Sequence, residues 1–291
     1  MRRYPIGRQK LLDDIEVERP RWLKRAEART AQYVADGDYT GGKEFWSEIK
    51  AVYIRLQHEK CAYCETRLQG AAFAIKVHEV EHFRPKQSVK AWPSPSAAHL
   101  QGFVPPGPVG SASPVGYYKL AYHPFNYAIA CTRCNSTLKS NYFPVGGPRQ
   151  TDGHDPSLMH GEKPLLVYPI SDIDDDPEEL ITFEGVLAVP KRRSGPDRDR
   201  ALVTIAFFQL NHQDLTTRRA ESLAALWLSL EAMAALPAGH PMAAQYLAAI
   251  DRACAPGGEF SACMRAFRDL HGTRPDFARQ LGEAANTLTP A

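Results

Sequence analysis

Two short stretches, Cys61-Ala62-Tyr63-Cys64 and Cys131-Thr132-Arg133-Cys134, decide how this chain is held together. Each is a C-x-x-C pair, and 66 residues separate them. Four thiolates delivered in this way can surround one tetrahedral zinc ion as a closed structural site. The alternatives are a redox-active pair or cysteines that are buried by coincidence. Because two pairs flank one region of unusual composition, the sequence favours zinc.

The zinc ion is expected to tie a helix that ends near Lys60 to the turn that carries the second pair. It would do so across a connection that cannot hold itself, because residues 87–124 contain seven prolines and four glycines. The other two cysteines, Cys254 and Cys263, lie on predicted helix faces and are interpreted as small core residues. Six cysteines in 291 residues are too few for a disulfide scaffold.

The hydrophobic pattern around the cysteine pairs predicts strand, long loop, strand and helix in that order. Val77, Val80 and Phe83 predict a short strand that ends before Pro85, since the residue before a proline favours extended geometry. Residues 126–130 predict the second strand, and a helix is expected to begin near Asn135.

Helical periodicity dominates the two ends of the chain. It predicts helices near residues 20–35 and 45–56 and an Ala- and Leu-rich set after Pro190. We therefore expect an α+β protein: an N-terminal helical segment over 1–56, a zinc-containing core over 57–150, an irregular acidic connector over 151–196 and a helical C-terminal subdomain over 197–291.

The composition is that of a globular chain, with 44% apolar and 23% charged residues, which argues against disorder, collagen-like repeats and coiled coil. The sequence shows neither the apolar start of a signal peptide nor a run long enough to span a bilayer, so we expect a cytoplasmic protein without membrane contact. The net charge of +2 says little about a polyanionic partner.

The distribution of charge is more informative than its sum. From His82 to Thr151 there is no Asp or Glu, whereas that stretch contains seven Lys and Arg residues. A basic stretch of this kind is typical of a surface that contacts nucleic acid.

The acid-free region starts at the second residue of a distinctive dipeptide, Glu81-His82, and it also contains Asn126 and Asn135. A carboxylate beside an imidazole at a strand end, with an amide delivered from a helix start, can hold a hard divalent cation and a water molecule together. A buried or surface histidine without a catalytic role is the ordinary alternative.

In the order and spacing of these motifs, residues 57–145 resemble the HNH endonucleases, whose ββα-metal finger is often braced by four zinc-bound cysteines. The resemblance implies that His82 is the general base, that Glu81 and Asn135 bind the catalytic ion, and that Asn126 steadies the loop. Asn135 replaces the commoner His and Glu81 the commoner Asp, but both retain an oxygen ligand suited to magnesium.

A wider stretch, about 43–220, resembles the HNH partner nucleases of Septu and related retron anti-phage systems, which work with an ATPase. The motifs that carry this likeness are Cys61–Glu65, Glu81–Lys86, Cys134-Asn135 and Phe143-Pro144.

The resemblance implies metal-dependent hydrolysis of DNA phosphodiester bonds, with structural Zn²⁺ and catalytic Mg²⁺ or Mn²⁺. Phosphate contacts are expected from four basic residues: Arg84, Lys86, Arg133 and Lys139. Two other functions remain open: a zinc-stabilised nucleic-acid-binding or partner-docking module without catalysis, and an RNA-cutting toxin with the same catalytic residues.

Overall fold

A computed structural model describes residues 1–68, 79–94, 100 and 102–288 of the chain. The N-terminal region contains α1 (Arg8–Glu18), α2 (Trp22–Asp36) and α3 (Lys50–Leu56), the last preceded by a 3₁₀ turn at Trp46–Ile49. The sequence predicted α2 and the region of α3 but not α1. α3 ends just before the first cysteine pair, as its pattern required.

The two strands predicted around the long connection pair with each other. β1 (Glu79–His82) runs antiparallel to β2 (Tyr127–Ala130), with Glu79 opposite Ala130 and His82 opposite Tyr127. β2 leads into a π-helix, Arg133–Lys139, in which the Ser140 amide donates to the Asn135 carbonyl. The predicted order of strand, loop, strand and helix is confirmed, although Val77 lies outside the described residues.

The segment 151–196 is more regular than the acidic composition predicted. It contains the short helix α4 (Pro177–Leu180) and a hairpin of β3 (Ile181–Glu184) and β4 (Leu187–Pro190). Gly185 supplies the positive φ of +58° that the tight turn needs. The expectation of an irregular connector was wrong because the run of acids obscured the alternating residues that follow it.

The C-terminal region is helical, as the Ala- and Leu-rich pattern predicted. Its described helices are α5 (Pro196–Phe207), α6 (Gln213–Ala235), α7 (Ala243–Cys254), α8 (Ser261–Thr273) and α9 (Pro275–Leu288). Together with the two small antiparallel sheets they give an α+β fold. Within the described part of the chain, no helix combines the length and the apolar character needed to cross a bilayer.

The C-terminal helices share one hydrophobic core with the rest of the chain. The ring of Tyr63, inside the first cysteine pair, stacks on Phe208 at 4.0 Å between centroids. The buried Lys60 ammonium donates to the Gly258 carbonyl at 2.8 Å and to Ser261 Oγ at 3.0 Å. The first cysteine pair is therefore held by the C-terminal region through a residue inside the pair, Tyr63, and through the residue just before it, Lys60.

An aromatic cluster joins α2 to the paired strands. The fully buried Trp22 lies 5.9 Å from the Phe45 ring and 6.3 Å from the Tyr127 ring, and its indole nitrogen donates to the Phe45 carbonyl at 3.1 Å. Aromatic burial of this kind supplies much of the stability of a core.

Replacing Trp22 by Ala should destabilise the protein by about 3–5 kcal/mol, because it removes a large buried side chain and leaves a cavity. Val17→Ala on α1 is the matched control, since Val17 is 84% exposed; its effect should stay within about 0.5 kcal/mol. Urea unfolding monitored by circular dichroism measures both. Similar midpoints for the two variants would contradict this view of the core.

Candidate functional site: a four-thiol cluster beside a polar pocket

The four cysteine thiols predicted to bind zinc converge on one point. The sulfur atoms of Cys61, Cys64, Cys131 and Cys134 all lie within 4.8 Å of one another, and Cys64 Sγ is 3.8 Å from Cys131 Sγ. Zn–S bonds of about 2.3 Å arranged tetrahedrally place sulfurs about 3.8 Å apart. The cluster therefore fits one metal ion such as zinc, with three buried thiols and the partly exposed Cys131 filling its four positions.

Backbone contacts bring the two pairs together. The Ala62 amide donates to the Ile129 carbonyl of β2 at 3.0 Å, and the Asn135 amide donates to the Cys131 carbonyl at 2.9 Å. The fully buried Gln57 side chain, which the sequence analysis missed, bonds both the amide and the carbonyl of Ile129, each at 2.8 Å. The first pair is thus attached to the strand that leads to the second.

A pocket of about 530 Å³ opens beside the cluster, at the ends of β1 and the π-helix. It brings together Glu81, His82 and Asn135, the residues predicted to act as the general base and to bind the catalytic ion. Its other lining residues are Glu44, Trp46, Ser47, Lys50, Glu79, Val80, Pro85, Lys86, Ser136, Ser140 and Asn141. The three side chains therefore border one cavity.

The imidazole of His82 is held in one orientation. Its Nε2 lies 3.0 Å from the Ala121 carbonyl, and its ring packs edge-on against Trp46 and Tyr127 at 4.8 and 5.1 Å. A carbonyl can only accept, so Nε2 carries the hydrogen and Nδ1 is left as the acceptor. Burial lowers the pKa of His82 to about 3, so the ring is neutral near pH 7.

The carboxylate of Glu81 is buried beside a lysine. Glu81 Oε1 lies 3.2 Å from the fully buried Lys139 ammonium, yet it accepts no hydrogen bond from the described residues. Burial raises the pKa of Glu81 to about 7, although the charge of Lys139 opposes that effect. Any divalent ion at this carboxylate would therefore share it with the Lys139 ammonium.

Asn135 completes this side of the pocket. Its amide nitrogen Nδ2 donates to Glu79 Oε2 at 3.2 Å, which leaves the side-chain oxygen as the group that can face a cation. Glu79 and Glu81 are two residues apart on β1 and so share one face of the strand. Glu79 belongs to none of the motifs recognised in the sequence.

Asn126 lies outside the pocket lining, where it connects loops. Its Oδ1 accepts from the Arg84 amide at 2.7 Å, and its Nδ2 donates to the carbonyls of Arg84 and Leu120 at 3.0 and 3.1 Å. The side chain thereby fixes the chain just after His82. This geometry is that of a positioning residue.

Three of the four predicted phosphate contacts are engaged within the protein. Arg84 is 4% exposed and pairs with the fully buried Glu162 at 2.9 Å. Arg133 donates to Gln209, and Lys139 faces Glu81 and the His82 carbonyl. Only Lys86, of these four, lines the pocket, and its ammonium lies 4.6 Å from the centre of the Trp46 ring.

The pocket also contains residues that the sequence pattern did not reveal. Trp46 packs against His82, and Lys50 lies at the start of α3, far from the motif in sequence. Both belong to a segment that reads as an ordinary amphipathic helix, so its spacing could not indicate a site.

These features define an α+β protein with a four-thiol cluster that could hold a metal ion, next to a polar pocket. Over 173 residues the chain is 28% identical to the Septu protein PtuB of Bacillus mycoides (strain KBAB4). The match covers 60% of this chain and 50% of that protein, so the chain spans about half the length of the curated relative. No family model matches the chain, and no solved structure matches it.

The purified chain should contain a single zinc ion, and Cys61→Ser should lose it together with much of the thermal stability, because the cluster joins two distant segments. Cys254→Ser is the matched control, since Cys254 is buried but lies outside the cluster. Elemental analysis and thermal unfolding test both. A metal-free wild type with unchanged melting after chelator treatment would contradict the assignment.

Asn126→Ala should destabilise the protein by about 1–3 kcal/mol, since it leaves buried backbone groups without partners. Asn126→Asp should cost more, because a carboxylate oxygen would then face the carbonyls of Arg84 and Leu120. Denaturant unfolding of the two variants gives their order. An aspartate variant as stable as the wild type would show that this connection is unimportant.

Proposed function

We propose that this chain is a metal-dependent HNH-type endonuclease that hydrolyses DNA phosphodiester bonds as the nuclease component of a Septu-type anti-phage defence system. The observation that carries the proposal is the His82 imidazole, fixed through Nε2 with Nδ1 as acceptor, in the same pocket as Glu81 and Asn135. The similarity to the Septu protein PtuB supports the defence role.

The local architecture supports the same proposal. β1, β2 and the π-helix follow one another as two antiparallel strands and a helix, and the four-thiol cluster holds the turn between β2 and that helix. This is the arrangement expected of a ββα-metal finger braced by zinc. The pairing with an ATPase is part of the proposal and rests on the resemblance to Septu and retron nucleases.

The residues of the pocket divide the chemistry between them. His82 Nδ1 takes a proton from the water that attacks phosphorus, while the Ala121 carbonyl keeps the ring in the required tautomer. Glu81 and Asn135 present oxygen atoms from facing elements, and Lys86 adds positive charge at the rim. A divalent ion such as Mg²⁺ or Mn²⁺ held by these two oxygens would neutralise the phosphate and stabilise the departing sugar oxygen.

Supercoiled plasmid incubated with Mg²⁺ or Mn²⁺ tests the proposal, with the chain alone and together with the implied ATPase. His82→Ala should lower the cleavage rate by about 10²–10⁴-fold, the usual contribution of a general base. Glu81→Gln keeps the shape of the side chain but removes its charge, and should also lose activity. His154→Ala is the matched control, because His154 is exposed and outside the pocket.

A labelled RNA substrate in the same assay separates DNA from RNA cleavage. The unfolding midpoint of each variant shows whether lost activity reflects lost structure. Equal cleavage by His82→Ala and the wild type, or no cleavage of either nucleic acid in any arm, would reject the proposal.

A further inference from the structure

Two of the four predicted phosphate contacts, Arg84 and Lys139, are neutralised by carboxylates within the protein, and a third, Arg133, is hydrogen-bonded to a neutral side chain. Arg84 forms an ion pair with Glu162, and Lys139 forms one with Glu81. Arg133 donates a hydrogen bond to Gln209. A strand that enters the pocket still needs cations along its backbone, because phosphate contacts supply most of the non-specific affinity for nucleic acid. Those cations must come from other parts of the chain.

A second groove, of about 500 Å³, lies directly behind one wall of the pocket. Its lining residues are Arg25, Ala28, Arg29 and Gln32 of α2, with Lys43, Phe45 and Glu48. Residues 43–48 form the shared wall, since Glu44, Trp46 and Ser47 of the same segment line the catalytic pocket. The two cavities are therefore neighbours.

The groove carries three cations against one carboxylate. Glu48 is saturated by Arg25, whose guanidinium binds it with two hydrogen bonds of 2.8 and 2.9 Å and lies 4.2 Å from the Phe45 ring centre. Arg29 Nη1 donates to the backbone carbonyls of Gly41 and Lys43, at 3.4 and 3.5 Å. Among the described residues, neither Arg29 nor Lys43 forms an ion pair with a carboxylate.

The two cavities are close enough for a single nucleic-acid strand to reach both. Lys43 and Trp46 are three residues apart, so their Cα atoms are at most about 11 Å apart. A nucleic-acid strand advances about 3.4 Å per nucleotide along its axis. On this spacing, a phosphate at Lys43 and a phosphodiester at Trp46 would be roughly three or four nucleotides apart along one strand.

Another large cavity of the structure is unsuited to this ligand. It has a volume of about 550 Å³ and lies against five aspartates, Asp172, Asp174, Asp175, Asp197 and Asp199. Its aspartates would repel a phosphate backbone. The charge distribution therefore selects the α2 groove.

We propose that the groove formed by α2 and residues 43–48 binds the sugar-phosphate backbone of the strand whose scissile bond occupies the catalytic pocket. Arg29 and Lys43 contact phosphates, and Arg25 stays paired with Glu48. This inference rests on the proposed nuclease function for its catalytic part. The binding of nucleic acid to the groove is measured independently of cleavage.

Fluorescence anisotropy with labelled DNA and RNA oligonucleotides tests the groove, using His82→Ala protein without added divalent ions so that nothing is cut. In that background the double variant Arg29→Ala/Lys43→Ala should bind several-fold more weakly. Its slope of log affinity against log salt should fall by about 0.7–0.9 for each phosphate that is no longer neutralised. Arg192→Ala/Arg193→Ala is the control, since it removes the same charge from an exposed turn.

A variant that is expected to bind more tightly distinguishes an effect of charge from a loss of structure. Glu48→Gln removes the carboxylate of the groove lining and releases Arg25. It should bind both oligonucleotides more tightly at low salt and show a steeper salt slope, a result that loss of structure cannot produce. A change confined to one nucleic acid would assign the groove to that one.

The outcomes separate the groove from the nuclease. If Arg29→Ala/Lys43→Ala binds as well as the control variant, or if the parent binds neither oligonucleotide, the groove proposal is wrong whatever the plasmid assay shows. If the double variant binds weakly while the wild type cuts no nucleic acid, the nuclease proposal fails and the binding groove stands. With both correct, the double variant of the active enzyme raises KM and leaves kcat unchanged.

Discussion

The requirement that four thiols meet at one point is the constraint on which the rest of this structure depends. Cys64 and Cys131 are separated by 66 residues, yet their sulfurs lie 3.8 Å apart. Once the two pairs are held together, β2 must run alongside the first pair, and the π-helix must begin where the second pair ends. The long proline-rich connection then has fixed ends without needing regular structure of its own.

Buried polar contacts also fix the geometry of the chain next to the pocket. Asn126 ties the backbone of Arg84, just after the strand end at His82, to that of Leu120, and the Arg84 side chain is anchored by Glu162. A buried ion pair is costly to break, by about 3–5 kcal/mol, because the remaining charge is stranded in a low-dielectric environment. Such contacts contribute more to a single geometry than to total stability, and a pocket that must orient an imidazole needs that geometry.

The pocket is assembled from three distant parts of the chain. β1 supplies Glu81 and His82, the π-helix supplies Asn135, and the region before α3 supplies Trp46. Residues 44–50, which include the start of α3, therefore form one wall of the site. This arrangement explains how a basic groove on α2 can lie next to a pocket whose principal residues occur much later in the sequence.

The sequence by itself determined the features that depend on local spacing. The C-x-x-C pairs, the strand that ends before Pro85, the strand of residues 127–130 and the C-terminal helices all follow from periods and turn signals within short windows. It also placed Glu81, His82 and Asn135 in one group, because the resemblance to a known motif already contains their spatial relation. The sequence did not predict the hairpin of residues 181–190, because an acidic run precedes it.

Only the tertiary structure decided which basic side chains are paired within the protein and which can contact a substrate. Arg84 and Glu162 are 78 residues apart, and Lys139 meets Glu81 across the strand and helix of the site. A charged side chain pairs with whatever packing brings within a few ångströms, and the sequence near it holds no record of that neighbour. For this reason three of the four basic residues predicted to contact substrate are bound within the protein, whereas Arg29 and Lys43, which no sequence motif marks, line the neighbouring groove.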